Sequence, residues 1–437
     1  MRTRFRCLVA SALVTAAALL LVPGVSGTAS EERAGVLGDD FLWGVATSGF
    51  QSEGQSPDSN WTRYIDADPG WDRLGGSVDF RTRYRSDIAL AKSLGVEVFR
   101  IGIEWTRLEP QPGVWDSSAF AYYDDVIGAI VAAGMRPMLT LDHWVYPGWA
   151  ADRGGWRDPG MVSDWLTNMR KVVDRYAARN PVWVTINEPV AYIMHEVRQN
   201  RTDADQMLDS VAQAHNAIYD YIHQIQPNAL VTSNVGYVAG AESQVNGPLM
   251  DRIGDRLDFI GIDYYFGYEP PDPTAANAPS GMWDLPVRPE GIYFALRHYS
   301  QRFPGKPLWI VENGMPTENA RPRADGYTRS DHLRDTVYWL QRARSDGMNL
   351  IGYNYWSLTD NYEWSSYTPR FGLYTVNVRT DPTLTRIPTD AVGTYRAIIT
   401  HDGVPADYLP RRPVADCRLI DPPASCAAPV AAPRADG

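Results

Sequence analysis

The strongest constraint on this chain is a repeated alternation of two kinds of segment. Eight short runs of apolar, β-favouring residues fall at 41–47, 96–105, 136–144, 182–188, 230–235, 259–265, 308–312 and 350–357. Helical stretches separate most of them, clearest at 84–94, 119–133, 162–179, 204–226 and 331–345. Apolar runs of this length suit parallel strands buried on both faces, which need helical crossovers between them. Glycine marks two of the helix ends, in Leu94-Gly95 and Ala133-Gly134. Eight such units predict an α/β fold, a single (β/α)8 TIM barrel over 38–405 with its active site at the strand C-termini. The chain of 437 residues, 44% hydrophobic and 21% charged, is long enough for that domain, and no second boundary interrupts the pattern.

Two of the runs end abruptly in a glutamate followed by a turn former: Thr185-Ile186-Asn187-Glu188-Pro189 and Ile310-Val311-Glu312-Asn313-Gly314. A carboxylate there sits at the mouth of the barrel, not in its core. Cleavage of a glycosidic bond needs two such groups, an acid for the leaving oxygen and a nucleophile or base on the other side of the sugar. More polar and aromatic side chains are expected at the same face. Gln51 and Glu53 follow the first strand, and Arg100 lies in the second. His143 and Trp144 end the third, and Asp263 and Tyr265 stand at the sixth. Trp356 ends the eighth, with Glu363 and Trp364 in its loop. Each alone fits a structural place; together they offer partners for vicinal hydroxyls and flat rings for sugar faces. The 15 Trp and 24 Tyr are compatible with a carbohydrate ligand. A net charge of −11 without a basic block argues against nucleic acid. The seven His show no ligand spacing such as His-Glu-x-x-His, so no metal or other cofactor is expected.

Residues 1–29 read as a secretory signal peptide. Arg2, Arg4 and Arg6 precede the run from Cys7 to Val22, and small residues follow at 25–29. An uncleaved anchor is the alternative, although the run is short for a span. The expected location is secreted, extracellular or periplasmic, with no membrane attachment after cleavage. Cys417 and Cys426 remain, close enough in sequence for a disulfide in an oxidising compartment; two free thiols are the alternative. They lie in a Pro- and Ala-rich tail, 409–437, expected to pack poorly.

Five segments resemble glycoside hydrolase family 1, in order from about residue 41 to 400. They are Phe41-Leu42-Trp43-Gly44-Val45-Ala46-Thr47-Ser48-Gly49-Phe50-Gln51-Ser52-Glu53-Gly54, Phe99-Arg100-Ile101-Gly102-Ile103-Glu104-Trp105, Asn187-Glu188-Pro189, Glu312-Asn313-Gly314, and the stretch from Trp356 to Trp364 continuing to Arg370-Phe371-Gly372-Leu373. Asn-Glu-Pro alone is shared with related barrels, whereas the first and last segments are far more specific. The resemblance implies a β-glucosidase-like retaining hydrolase, with Glu188 as acid/base and Glu312 as nucleophile. Arg100 and Tyr265 would keep Glu312 ionised, and the field of Glu312 would raise the pKa of Glu188. Asn187 would meet the sugar's 2-hydroxyl. Gln51, His143, Glu363 and Trp364 would hold the other hydroxyls, Trp356 would be the stacking platform, and Trp144 and Phe371 would complete the sugar site. Partners are then a small-molecule or oligosaccharide β-glycoside. A carboxylate at 363 would oppose a phosphate on the sugar's 6-position, unless Glu363 is instead a structural partner of Arg370. Transglycosylation on the same site, or a sugar-binding protein without catalysis, are the other readings.

The chain also departs from the family pattern. Only about two dozen residues join strands five and six, and the segment after Pro189 is trimmed. Asp263 stands where the family usually has Asn, and one residue is missing between Trp364 and Tyr367. These changes bear on the leaving-group site, the identity of the sugar and any oligomer interface.

Overall fold

The computed structural model describes residues 35–266 and 281–412. The signal segment 1–29, the Cys417–Cys426 pair and the tail beyond 412 lie outside the described residues. Nine parallel strands form one sheet: β1 Leu42–Ala46, β2 Val98–Gly102, β3 Arg136–Asp142, β4 Val182–Ile186, β5 Leu230–Thr232, β6 Val235–Gly236, β7 Ile260–Asp263, β8 Leu308–Asn313 and β9 Leu350–Trp356. Their order is β5-β4-β3-β2-β1-β9-β8-β7-β6. The two outermost members, β5 and β6, are consecutive in the chain, so the sheet curls round and closes as a TIM barrel.

The expected fifth strand, 230–235, is therefore two strands, and the break has a physical cause. Ser233 donates its hydroxyl to the Ile186 carbonyl at 2.7 Å, and the Asn234 carbonyl accepts from the Glu188 amide at 3.0 Å. Both residues leave the ladder to tie the end of β4. The second expected strand also overran. Chain leaves β2 after Gly102 and coils into a helical turn, Trp105–Leu108, where the Glu104 carboxylate accepts from the Phe50 amide at 3.0 Å.

All five expected helices are present within a few residues of their predicted ends: Phe80–Leu94, Ser117–Ala132, Met161–Tyr176, Ala204–Ile225 and Arg329–Ser345. Sequence periodicity did not bring out Asn60–Ala67, Pro189–Arg198, Gly291–Arg302 or Asp390–Thr400. The first of these is set by a capping box between Ser59 and Thr62, and the second begins at a proline in its first turn. No helix among the described residues is long and apolar enough to cross a membrane.

Most core residues pack between the strands and the surrounding helices. A second cluster, Val98, Met138, Val182, Val184, Phe259, Trp309 and Val311, belongs to strands and strand entries. Asn354 on β9 reaches Met138 on β3 at 3.3 Å, across strands that are not neighbours, which places this cluster in the barrel interior. Side chains two residues on along a strand share a face. Arg100 thus sits above Val98, and Thr140 above Met138. The apolar plug supports the polar mouth directly.

Glu53 is not part of that mouth. Its carboxylate turns into a buried pair with Arg107, whose Nε donates at 2.6 Å, and it also accepts from Tyr123 at 3.0 Å. Breaking such a pair strands a charge without solvent. Arg107→Met should lower unfolding stability by about 3–5 kcal/mol in chemical denaturation. Glu53→Gln combined with Arg107→Met should lose clearly less.

Candidate active site

The described C-terminal ends of the strands surround a cavity of about 340 Å³. Gln51, His143, Trp144, Asn187, Glu188, Tyr265, Glu312, Trp356, Glu363, Trp364 and Phe371 all line it, as does Asp263. Of the residues anticipated at the mouth, only Glu53 and Arg100 do not line it, and Arg100 lies directly beneath it. It is 0% exposed and forms the floor.

Arg100 donates from Nε to Thr140 Oγ1 at 2.9 Å, from Nη2 to Asn187 Oδ1 at 2.6 Å, and from Nη1 to Glu312 Oε1. Tyr265 gives its hydroxyl to Glu312 Oε2 at 2.7 Å. Glu312 therefore has a donor on each oxygen, one of them cationic, which is the setting of an ionised carboxylate. A register shift lies just before it: Ile262 pairs with Ile310, but Asp263 pairs with Glu312. The extra residue on β8 re-aims the glutamate at the end of the strand.

Glu188 has a different setting. It follows β4 with a left-handed backbone, φ 38°, and precedes the helix Pro189–Arg198. A non-glycine residue held there costs free energy and marks a functional turn. Gly236 faces it so closely that a Cβ at 236 would lie 2.4 Å from Glu188 Oε1. Burial first, and the charge of Glu312 second, push the Glu188 carboxyl up to about 8, against the opposing pull of Arg100. The sequence-based expectation named the field of Glu312 as the cause; desolvation is the larger one.

Glu363 accepts from Trp356 Nε1 at 2.8 Å and from Gln51 Nε2 at 3.3 Å. It does not pair with Arg370, whose guanidinium goes to Asp360 at 3.1 Å. Burial pushes its carboxyl up to about 8. His143 stacks beside Trp356, with centroids 6.0 Å apart, and burial with the nearby Arg100 charge holds it neutral. Trp144 Nε1 donates to the Asn187 carbonyl at 2.7 Å, and Phe371 meets Tyr265 edge-on at 5.6 Å. Trp364 stands at the rim, 42% exposed.

Two second-row residues were not anticipated. Asn234 Nδ2 donates to Asn187 Oδ1 at 2.7 Å and to Asp263 Oδ2. Asp142 accepts from the Trp144 amide and from Trp165 Nε1, both at 2.8 Å, and so fixes the loop that carries His143. The signal for Asn234 was present as a lone amide inside an apolar run.

A parallel barrel with two mouth carboxyls of opposite electrostatic setting is the machinery of a glycosidase. The sequence profile of glycosyl hydrolase family 1 matches residues 34–232 and 239–404. The 1,4-beta-D-glucan glucohydrolase of Thermotoga neapolitana is 25% identical over 84% of this chain and 98% of its own length. The galactolipid galactosyltransferase SFR2 of Arabidopsis thaliana is 30% identical over 74% of this chain and 57% of its own. The β-glycosidase structure from Pyrococcus horikoshii superposes with a TM-score of 0.75 at 25% identity, covering 85% of this chain and 96% of that one. The chain belongs to glycosyl hydrolase family 1 and is a retaining glycosidase of the β-glucosidase-like kind.

The raised carboxyls have a linked effect on stability. Glu363 binds its proton more tightly folded than unfolded, so its contribution favours the fold at low pH. That contribution is lost as pH rises from its ordinary 4.5 through about 8. Glu363→Gln has no such proton. Its melting temperature relative to the unsubstituted protein should therefore climb between about pH 5 and about pH 9. A flat difference across that range would remove Glu363 from the set of raised carboxyls.

Proposed function

We propose that this chain is an exported retaining β-glycosidase acting on neutral β-linked glycosides by double displacement. The observation that carries this reading is the contrast between Glu312, held by Arg100 and Tyr265, and Glu188, buried beside it with its proton raised into the neutral range. In this reading Glu312 attacks the anomeric carbon while Glu188 protonates the leaving oxygen. Forming the glycosyl ester removes the charge on Glu312. Glu188, then ionised, takes a proton from the incoming water, which attacks the same carbon and releases the sugar with retention.

Asn187 is oriented for a 2-hydroxyl by Arg100 and Asn234. Gln51, His143, Trp356 and Glu363 form the wall for the rest of the ring. Four carboxyls and no Lys or Arg line the described cavity. A phosphate on the sugar would meet no cation there, so discrimination against a 6-phosphoglycoside rests on the whole lining. The charge on Glu363 alone carries less of it than the sequence implied, because its proton is held up to about 8. Export rests on the character of residues 1–29.

A second reading is transfer to an acceptor other than water. Val145, Ala191, Val238, Phe266 and Met282 give the cavity an apolar outer wall, which suits an apolar alcohol better than a bare water. Product analysis with an added long-chain alcohol decides between them: alkyl glycoside as the main product would favour transfer.

Azide rescue tests the roles. Glu312→Gly should abolish turnover of a nitrophenyl β-glycoside, and azide should restore it with an α-glycosyl azide as product. Glu188→Ala should lose roughly 10²–10⁴-fold on substrates with poor leaving groups, keep fast glycosylation with good ones, and give the β-azide. The reverse pairing of variant and anomer would overturn the assignment.

A further inference from the structure

Glu188, Glu312 and Glu363 account for three of the four carboxyls in the cavity. The fourth, Asp263, has no part in the reaction written above. It is the last residue of β7 and lies opposite Glu312 on β8, one strand spacing away. Adjacent strands are about 4.8 Å apart, so two ionised carboxylates side by side at this depth are strongly disfavoured. One of the pair must keep a proton.

The hydrogen bonds decide which. Glu312 takes a guanidinium on one oxygen and a phenol on the other. Asp263 takes a single neutral donor, Asn234 Nδ2, on Oδ2. Its Oδ1 is buried, and no N–H or O–H among the described residues donates to it. An anionic oxygen without a donor is expensive, whereas a protonated one supplies its own. The proton therefore belongs on Oδ1. The other charged groups facing Asp263 agree: Glu188 opposes its ionisation and only Arg100, already committed to Glu312, favours it. Burial and these two glutamates hold the Asp263 carboxyl well above the usual carboxylate range.

We infer that Asp263 works as a neutral carboxylic acid, a positioning residue that carries its proton on Oδ1, holds Asn234 through Oδ2, and keeps the floor of the site at one anion against the one cation, Arg100. The inference rests on the attacking role proposed for Glu312. It makes Asp263 a donor where its chemical type would suggest an acceptor or a base.

Two variants and one spectrum test it. Asparagine at 263 reproduces the shape and the donor–acceptor pattern of the protonated acid: its carbonyl accepts from Asn234 and its amide donates from the Oδ1 position. Asp263→Asn should keep kcat on a nitrophenyl β-glycoside within about threefold, while Asp263→Ala should lose more than about tenfold in kcat with little change in KM. In the infrared difference spectrum at neutral pH, the unsubstituted protein minus Asp263→Asn should show the C=O stretch of a protonated carboxyl. A carboxylate band in its place, or an Asp263→Asn variant as damaged as Asp263→Ala, would show that Asp263 acts as an anion and overturn the inference. Wild-type kcat in both variants would reduce Asp263 to packing and overturn it as well. A protein that cleaves no glycoside at all would instead sink the proposed reaction, and the infrared band would still report on Asp263 alone.

Discussion

A guanidinium with no exposed surface holds the mouth of this barrel together. Burying Arg100 costs several kcal/mol in solvation, recovered only if every donor finds a well-placed acceptor. It finds Thr140, Asn187 and Glu312, from three different strands or strand ends. Those three contacts fix the spacing of β2, β3, β4 and β8 at the level where the chemistry takes place. Burial first, and the charge of Glu312 after it, drive the remaining carboxyls around Arg100 toward their protonated forms. The acidity of the site follows from the dryness of the space more than from any single pair.

The barrel was readable because its strands are long apolar runs and its helices are strongly periodic. Both signals come from burial, and burial here is nearly complete. Glu188 and Glu312 were readable for the same reason: a charge that ends an apolar run breaks the pattern. What escaped was set by contacts distant in sequence. The split between Thr232 and Val235 depends on Ser233 and Asn234 bonding to β4, and nothing in the local run announces that. Glu53 stood beside Gln51 in sequence and was placed with it, yet the short helix Gly49–Glu53 sends the two side chains to opposite ends of their surroundings, one to the cavity and one to Arg107.

The second row shows how polar groups at depth are organised. Asn234 serves two acceptors, Asn187 and Asp263, and so couples the fourth strand to the sixth position of the barrel. Asp142 serves two donors, the Trp144 amide and Trp165. In each case one small side chain satisfies groups that would otherwise be stranded. The aromatic residues above them present faces and edges to the cavity, and two of them also tie it together: Trp144 through the Asn187 carbonyl and Trp356 through Glu363.

Gly236 sets a limit on how this site can diverge. A side chain at 236 would push the Glu188 carboxyl out of its place, and the floor around Arg100 is closed by its web of donors. The apolar lining carries less: Ala191, Val238 and Met282 make no hydrogen bond through their side chains, although Ala191 also packs on the core and Met282 on the cluster of Ala46, Trp356 and Phe371. Variation is thus confined to one shell of the cavity. A lineage descending from this chain can exchange the group it detaches by swapping apolar side chains there, while the bond-breaking apparatus is inherited unaltered.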